Sequence, residues 1–321
     1  MPTTPSKIDA LLLVMAVIWG TNYSIVKSAF AEIDPQAFNA LRMAIASIVF
    51  LLIIWGMRQV RAPSAHGVAT IFRTPAKMTP RDWIGLAALG LVGHFLYQYL
   101  FIGGLARTSV ANSSLILAAT PILVALLSAA MGEGRVSRQH WLGAAVSIVG
   151  IYLVVGHGAA LGKDRSLGDV MMLGAVCCWA LYTAGARHLM IRHSPVGVTG
   201  LSMALGTLLY VPATWRGVRA TQWAHVGGFT WFAIVYSALF ALCIAYTIWY
   251  AAVREIGSAR TAVYSNIVPL VAMGTAVAFL GEPLGWRKVA GAAAVLGGVA
   301  MTRVASAYGE VPSKLLQSNH R

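Results

Sequence analysis

Charged residues are scarce in this chain. Asp, Glu, Lys and Arg make up 11% of its 321 residues, whereas hydrophobic residues make up 58%. A soluble globular protein carries about a quarter charged residues, because its surface must be hydrated. This chain has too few charges for that, and its mean hydropathy is +0.71. We therefore expect lipid to be the solvent for most of the surface, as in an integral membrane protein.

Cysteine is scarce as well, and acidic residues are absent from the middle of the apolar runs. Cys177, Cys178 and Cys243 all lie in apolar runs, so we expect neither disulfides nor a metal site. All ten acidic residues fall at predicted helix ends or in loops. This argues against a proton relay through a buried carboxylate, and leaves facilitated diffusion, exchange or coupling through another group.

The positive charge of the chain is a second clue. A net charge of +14 could indicate nucleic-acid binding, but Lys and Arg lie in short loops between apolar runs and not in one patch. We therefore expect no nucleic-acid partner, and nothing in the sequence predicts a cofactor. The longest polar stretch, 58–81, is too short for a signalling domain.

Apolar segments of about 20 residues, the length that an α-helix needs to cross a bilayer, recur along the chain. Breaker pairs such as Asp34-Pro35 and Ser194-Pro195 separate them. The pattern predicts an all-α integral membrane protein with ten transmembrane helices. These are placed at 9–29, 36–57, 82–104, 109–131, 138–157, 168–188, 195–214, 228–253, 258–280 and 286–304.

The predicted helices divide the positive charges unequally. With a cytoplasmic N-terminus, 15 of the 24 Lys and Arg residues fall on the cytoplasmic side and 8 on the other, with Arg42 inside a helix. Cytoplasmic loops carry the excess of positive charge, so both termini are predicted to be cytoplasmic. We expect a multi-pass protein of a bacterial-type inner membrane with a polar cytoplasmic tail at 305–321.

The second half of the chain repeats the first. The matching pairs are Trp19 with Trp179, Pro35 with Pro195, Pro121 with Pro269, Gly132-Glu133 with Gly281-Glu282, and Gly143 with Gly291. The repeats are predicted to cover 9–157 and 168–304, with five helices each. Because five is odd, the second unit enters the membrane from the opposite side. Inverted repeats of this kind recur in secondary transporters, with the substrate site at the repeat interface.

Four motifs of the duplicated chain are also those of a known family. They are Trp19-Gly20-Thr21-Asn22, Leu41-Arg42, the prolines of the fourth and ninth helices, and Leu280-Gly281-Glu282-Pro283-Leu284. In these the chain resembles the drug/metabolite transporter superfamily, in particular its EamA-type ten-helix members. The likeness extends over residues 9 to 304, although Met131-Gly132-Glu133-Gly134 lacks the proline of the last motif. It implies export or facilitated movement of amino acids, related metabolites or drugs.

The predicted function is alternating-access transport of a small metabolite, such as an amino acid, without covalent chemistry. The expected partners are this solute and the lipid bilayer. A drug or cation exporter is an alternative that a buried anion would support. An intramembrane enzyme would need clustered acids or a His/Asp pair, and the carboxylates are dispersed. Small residues such as Gly143 and Ser147 in the fifth helix leave a homodimer contact open beside scaffold packing.

Arg42 is the charged candidate for the solute site. Ionisable groups within a membrane are costly and usually face the bundle interior. Arg42 could pair with a solute carboxylate or fix a gate. Alternatively, it could snorkel to the interface or bond carbonyls of a neighbouring helix.

A polar and aromatic stripe lies on the third helix. His94, Tyr97, Gln98 and Phe101 follow the spacing i, i+3, i+4, i+7 and so share one face. We expect this face to line a central cavity, because an unpaired amide in lipid costs free energy. Hydrogen bonding between helices is the alternative. His94, which can titrate near neutral pH, is the candidate for proton coupling.

The remaining candidates are aromatic and amide residues. Tyr246 and Trp249 in the eighth helix could form an aromatic wall for an apolar or cationic solute, or an interfacial belt. Amide side chains in hydrocarbon need partners, which suggests a cavity. The further predicted solute contacts are Trp19, Asn22, Asn39, Trp179, Tyr182 and Asn266.

Pro121 and Pro269 are the predicted helix breaks. Each removes a backbone donor and frees the carbonyl four residues earlier, at Leu117 and Ser265. The two helices are therefore predicted to form the site or to move, unless the kinks serve packing alone.

Overall fold

The structure is a bundle of helices. The computed structural model describes residues 7–59, 69–73, 76–130, 138–155, 163–256, 261 and 264–309, and in these residues every regular element is helical. Besides the short helix Ala69–Phe72, the first-half helices are α1 (Lys7–Ala29), α2 (Pro35–Gln59), α3 (Pro80–Arg107), α4 (Val110–Leu117 and Thr120–Ala130) and α5 (Arg138–Val155). Besides the short helices Trp215–Ala220 and Trp223–His225, the second-half helices are α6 (Lys163–Met190), α7 (Pro195–Ala213), α8 (Gly228–Ile256), α9 (Tyr264–Leu280) and α10 (Trp286–Gly309).

The length and composition of these helices suit a membrane. Among the described residues, six helices are long and apolar enough to cross a bilayer: α1, α2, α3, α6, α7 and α8. Shorter apolar stretches lie in α4, α5 and α9. Large apolar side chains also point outward, with Ile84, Ile148 and Leu208 at 70%, 64% and 70% exposure. Hydrocarbon is the solvent in which such a surface is stable, so the chain is a multi-pass membrane protein.

The helix starts explain why the breaker pairs lie where they do. At α2, the Asp34 carboxylate accepts hydrogen bonds from the backbone N–H groups of Gln36 and Ala37 at 3.0 and 2.9 Å. At α7, the Ser194 hydroxyl accepts from the Gly197 N–H at 3.1 Å. Each cap is followed by a proline at the first helical position, which has no N–H to satisfy.

Two wide turns interrupt the regular hydrogen bonding. Residues Gly90–Leu96 of α3 and Ser237–Ile244 of α8 are π-helical. Both stretches lie in the middle of a long helix, and π-turns of this kind are frequent at functional sites. The first is packed tightly against α7, where a Cβ atom on Gly206 would lie 2.4 Å from Cβ of His94.

Small residues bring α5 and α10 together. A Cβ atom on Gly298 would lie 2.4 Å from the Gly143 carbonyl oxygen, and the Ser147 hydroxyl donates to the Val295 carbonyl at 3.2 Å. Close backbone approach through small residues is how membrane helices associate. The scaffold role expected of Gly143 and Ser147 is therefore present within the chain, and a homodimer contact remains a prediction.

Candidate functional site

A cavity lies between α1, α2, α3, α4, α6, α8 and α9. It contains about 650 Å³ of empty space, including the part open to solvent. Seven predicted solute contacts from five helices line it together. They are Trp19, Asn22, Arg42, Tyr97, Gln98, Trp179 and Tyr246.

Aromatic rings form one wall of the cavity. The Trp179 ring centroid lies 5.7 Å from that of Trp19, 5.3 Å from Tyr246 and 5.0 Å from Tyr97. The Trp19 indole N–H donates to the Ala241 carbonyl, in the π-turn of α8, at 2.9 Å. Edge-to-face packing and this hydrogen bond fix the rings, so the wall is largely preformed.

Arg42 brings a positive charge to this wall. Its side chain is 2% exposed and donates to Gln98 Oε1 and to Ser237 Oγ, each at 2.7 Å, and to Asn39 Oδ1. All three acceptors are neutral, and these bonds engage three of the five N–H donors of a guanidinium. Among the described residues, no carboxylate forms a salt bridge with Arg42. A buried cation held only by neutral dipoles is suited to an anionic ligand.

Two of the predicted solute contacts lie behind the wall. His94 is fully buried, and its Nε2 is 2.9 Å from the Tyr182 hydroxyl, which is 3.1 Å from the Ser202 hydroxyl. Neither His94 nor Tyr182 lines the cavity. The α-helical spacing predicted that His94 would share a face with Tyr97 and Gln98. His94 lies in the π-turn, where the wider helix changes that angular relation.

Three more of the predicted contacts take supporting positions. Asn39 is fully buried against Arg42, and Trp249 is fully buried with its ring 5.3 Å from that of Trp19. The burial of Trp249 excludes a place in an interfacial belt. Asn266 is half-buried and does not line the cavity, whereas its neighbour Ser265 does.

The proline breaks border the cavity. Pro121 follows a turn at Ala118–Ala119, and the Thr120 hydroxyl donates to the Leu117 carbonyl, which Pro121 leaves without an N–H partner, at 2.7 Å. Pro269 follows the 3₁₀ turn Tyr264–Asn266. The cavity is lined on one side by Leu117, Ala118 and Thr120, and on another by Ser265 and Val268.

Two polar contacts between helices could not be predicted from the sequence. Ser237 accepts from Arg42, but a single serine in an apolar run gives no specific signal. The second contact is made by Glu282. Its carboxylate accepts from the Val110 and Ala111 N–H groups at 2.7 and 3.2 Å, capping the positive N-terminal end of α4. The Gly-Glu pair occurs in both halves of the sequence, which indicated that Glu282 has a role between the repeats.

The chain is similar to known transporters over most of its length. A model of the EamA-like transporter family matches residues 6–156 and again residues 166–304. An uncharacterized transporter of Bacillus subtilis (strain 168), YyaM, is 26% identical over 90% of this chain and 91% of its own length. A probable terminal-alkyne amino-acid exporter of Streptantibioticus cattleyicolor is 25% identical over 93% of this chain and 94% of its own.

A solved crystal structure shows the same fold. It is 18% identical, has a TM-score of 0.66, and the match covers 95% of this chain and 99% of that one. The family match extends over both halves of the chain and confirms the resemblance seen in the sequence motifs. The chain therefore belongs to the EamA-like transporter family.

Proposed function

We propose that the protein carries a small carboxylate-bearing metabolite, an amino acid or a related compound, across the inner membrane. The observation that carries this proposal is the buried guanidinium of Arg42 at the cavity, whose hydrogen-bond acceptors among the described residues are all neutral. A solute carboxylate would supply the opposite charge that these partners lack, and Arg binds carboxylates with directional hydrogen bonds.

The rest of the cavity suits the other parts of an amino acid. The side-chain oxygen of Asn22 is buried at the cavity, and no described residue donates a hydrogen bond to it. It offers an acceptor for an ammonium group. The rings of Trp19, Trp179 and Tyr246 offer an apolar surface for a side chain, and their faces can also attract the ammonium. The relative named as a probable amino-acid exporter agrees with this solute class.

The proposed mechanism is alternating access between two five-helix units in a ten-span inverted repeat. Each unit is matched by the family model separately, and equivalent caps begin α2 and α7. Irregular backbone within a membrane is tolerated where it borders a cavity. The proline breaks of α4 and α9 lie beside residues that line the cavity. These two helices are the proposed moving parts. Both termini are proposed to be cytoplasmic.

An exporter of cationic compounds is the second candidate, because aromatic walls bind cations. Arg42 opposes it, since a buried guanidinium repels a cationic solute. Within the described residues, the cavity lining contains no carboxylate to offset that repulsion.

Uptake into proteoliposomes tests the proposal. The panel pairs each labelled amino acid with its carboxamide, which lacks the negative charge, and adds a quaternary amine; each compound is measured with and without a pH gradient. We expect saturable uptake of amino acids and much slower uptake of their carboxamides. Faster uptake of the amine than of any amino acid would favour the cation exporter. Flux no greater than in protein-free liposomes for every amino acid would contradict the proposed solute class.

A further inference from the structure

A carboxylate is buried outside the solute cavity, in α6. Asp169 is 1% exposed, and its Oδ1 accepts a hydrogen bond from the Thr108 hydroxyl at 2.6 Å. The sequence predicts that every acidic residue lies at a helix end or in a loop. The structure corrects this for Asp169, because α6 begins at Lys163 and not at 168. Asp169 therefore lies in the second turn, about 9 Å along the helix from its start.

The second oxygen of this carboxylate is unpartnered. Among the described residues, no group donates a hydrogen bond to Asp169 Oδ2. The fully buried Asn112 side chain lies beside the carboxylate, within hydrogen-bonding reach of it. An amide can donate to a charged carboxylate or accept from a protonated one. The site can therefore satisfy either protonation state if the amide flips, which exchanges its NH2 and C=O groups.

The contact joins the two halves of the protein. Thr108 belongs to the α3–α4 corner (residues 105–111), whereas Asp169 belongs to the second half. The Glu282 carboxylate contacts the same corner, because it accepts hydrogen bonds from the first N–H groups of α4. It is also held by the Lys27 ammonium, which donates to the carbonyls of Leu105, Ala106 and Thr108 at 2.6, 2.9 and 2.9 Å.

The charged groups around Asp169 come from four elements. Arg165 lies one turn earlier in α6, and Lys27 of α1 holds the same corner; both are cations that stabilise a charged carboxylate. Glu282 is an anion at that corner and acts in the opposite sense. Arg107 of α3 forms an ion pair with Asp164, with 3.4 Å between Arg107 Nε and Asp164 Oδ1. The charged groups near Asp169 therefore include both cations and anions. Neither the charged nor the protonated form of its carboxylate leaves the site with charges of one sign only.

We propose that Asp169 is a proton-binding site whose protonation controls the contact between α6 and the α3–α4 corner. A proton from the aqueous phase binds to Oδ2 and leaves from the same oxygen, and no other covalent bond changes. When Asp169 is charged, its bond from Thr108 is charge-assisted; when it is neutral, that bond is about half as strong. Protonation therefore loosens one of the links that hold the two halves together. The expected effect of Asp169 protonation on flux rests on the proposed transport function. The expected binding of a proton to Asp169 does not.

Infrared titration of the purified protein tests the proton site without any solute. The carboxylic-acid C=O band is followed against pH in the wild type, in D169N and in D164N. A single group passes from about one-tenth to nine-tenths protonated over about two pH units. We expect D169N to lose one such component. D164N changes a carboxylate of the same helix whose side chain is 84% exposed, so it should lose only a different, solvent-exposed component.

The titrations of D169N and of T108V can each overturn the proposed proton site. A D169N spectrum that retains the full wild-type titration of buried carboxyl groups overturns the proposal. If D169N fails to fold, T108V removes the donor and leaves the carboxylate in place. A changed midpoint of the buried component then supports the proposal, and an unchanged one overturns it.

Flux measurements test the second part of the proposal. In proteoliposomes we expect the exchange rate of a transported amino acid to depend on pH in the wild type and in D164N. In D169N the rate should be constant across the titration range. A wild-type pH profile retained by D169N would disprove control by Asp169 while leaving transport intact. Loss of the infrared component, together with no flux for any amino acid, would instead support the proton site and contradict the transport function.

Discussion

The replacement Arg42→Gln tests whether the guanidinium binds the solute. The change removes the charge and keeps a polar side chain near Asn39, Gln98 and Ser237, which all lose a charged donor. A hydrogen bond to a charged group contributes about 1.5–3 kcal/mol. Loss of one such contact to a solute carboxylate should therefore weaken apparent affinity about 10- to 100-fold.

The informative quantity is the ratio between two solutes. In competition assays with proteoliposomes, we expect R42Q to weaken binding of an amino acid by that factor and to change binding of its carboxamide much less. R42K keeps the charge but not the planar fork, so it should fall between wild type and R42Q. The matched control is R58Q, which changes an exposed arginine at the end of the same helix and should have no effect.

Two results would refute the reasoning. If R42Q weakened the amino acid and its carboxamide equally, Arg42 would act only by holding α2 against α3 and α8. If R42Q left both affinities unchanged, the guanidinium would not contact the solute. Thermal unfolding of each variant in detergent separates loss of binding from loss of folded protein.

Two further predictions concern stability, measured as thermal unfolding in detergent. Hydrogen bonds from the Thr230 hydroxyl and from a backbone N–H at the start of α8 lower the pKa of Glu32 from its usual 4.5. Their contribution is present above pH 4.5 and is lost as the pH falls through the lowered pKa, so acid should destabilise wild type more than E32Q. Parallel pH profiles for both would contradict this. In G206A, the new Cβ would lie 2.4 Å from His94 Cβ, and overpacking should cost about 1–3 kcal/mol. G274A meets nothing within 4 Å and should gain about 0.5–1 kcal/mol of helix propensity; a gain in both variants would refute the packing argument.

The positions of the long helices could be predicted from the sequence because apolar length and breaker residues act locally. The segments predicted at 36–57 and 228–253 correspond to α2 and α8, which extend to Pro35–Gln59 and Gly228–Ile256. The segment predicted at 109–131 is broken at 118–119, a consequence of Pro121 that was predicted as a kink near its middle. The ten-span count and the inverted orientation remain predictions.

The candidate site was predictable where polarity alone identifies an interior position. Arg42, Asn22 and Gln98 are costly in lipid, and the structure places all three at the cavity. The sequence could not show that Ser237 accepts from Arg42, because that contact joins residues 195 positions apart. Nor could it show that His94 turns towards Tyr182, since regular spacing does not reveal a π-turn.

The two π-turns also determine how this chain tolerates changes in length. An α-helix rotates by about 100° per residue, so each residue added or removed within a helix rotates everything beyond it. Deleting one residue from Ser237–Ile244 would preserve the hydropathy of α8. Because a π-turn contains one residue more than an α-turn, the deletion would let α8 continue as a regular α-helix and would keep Tyr246 and Trp249 directed at Trp19 and Trp179. The two π-turns are therefore the places in α3 and α8 where the loss of one residue disturbs the rest of the helix least.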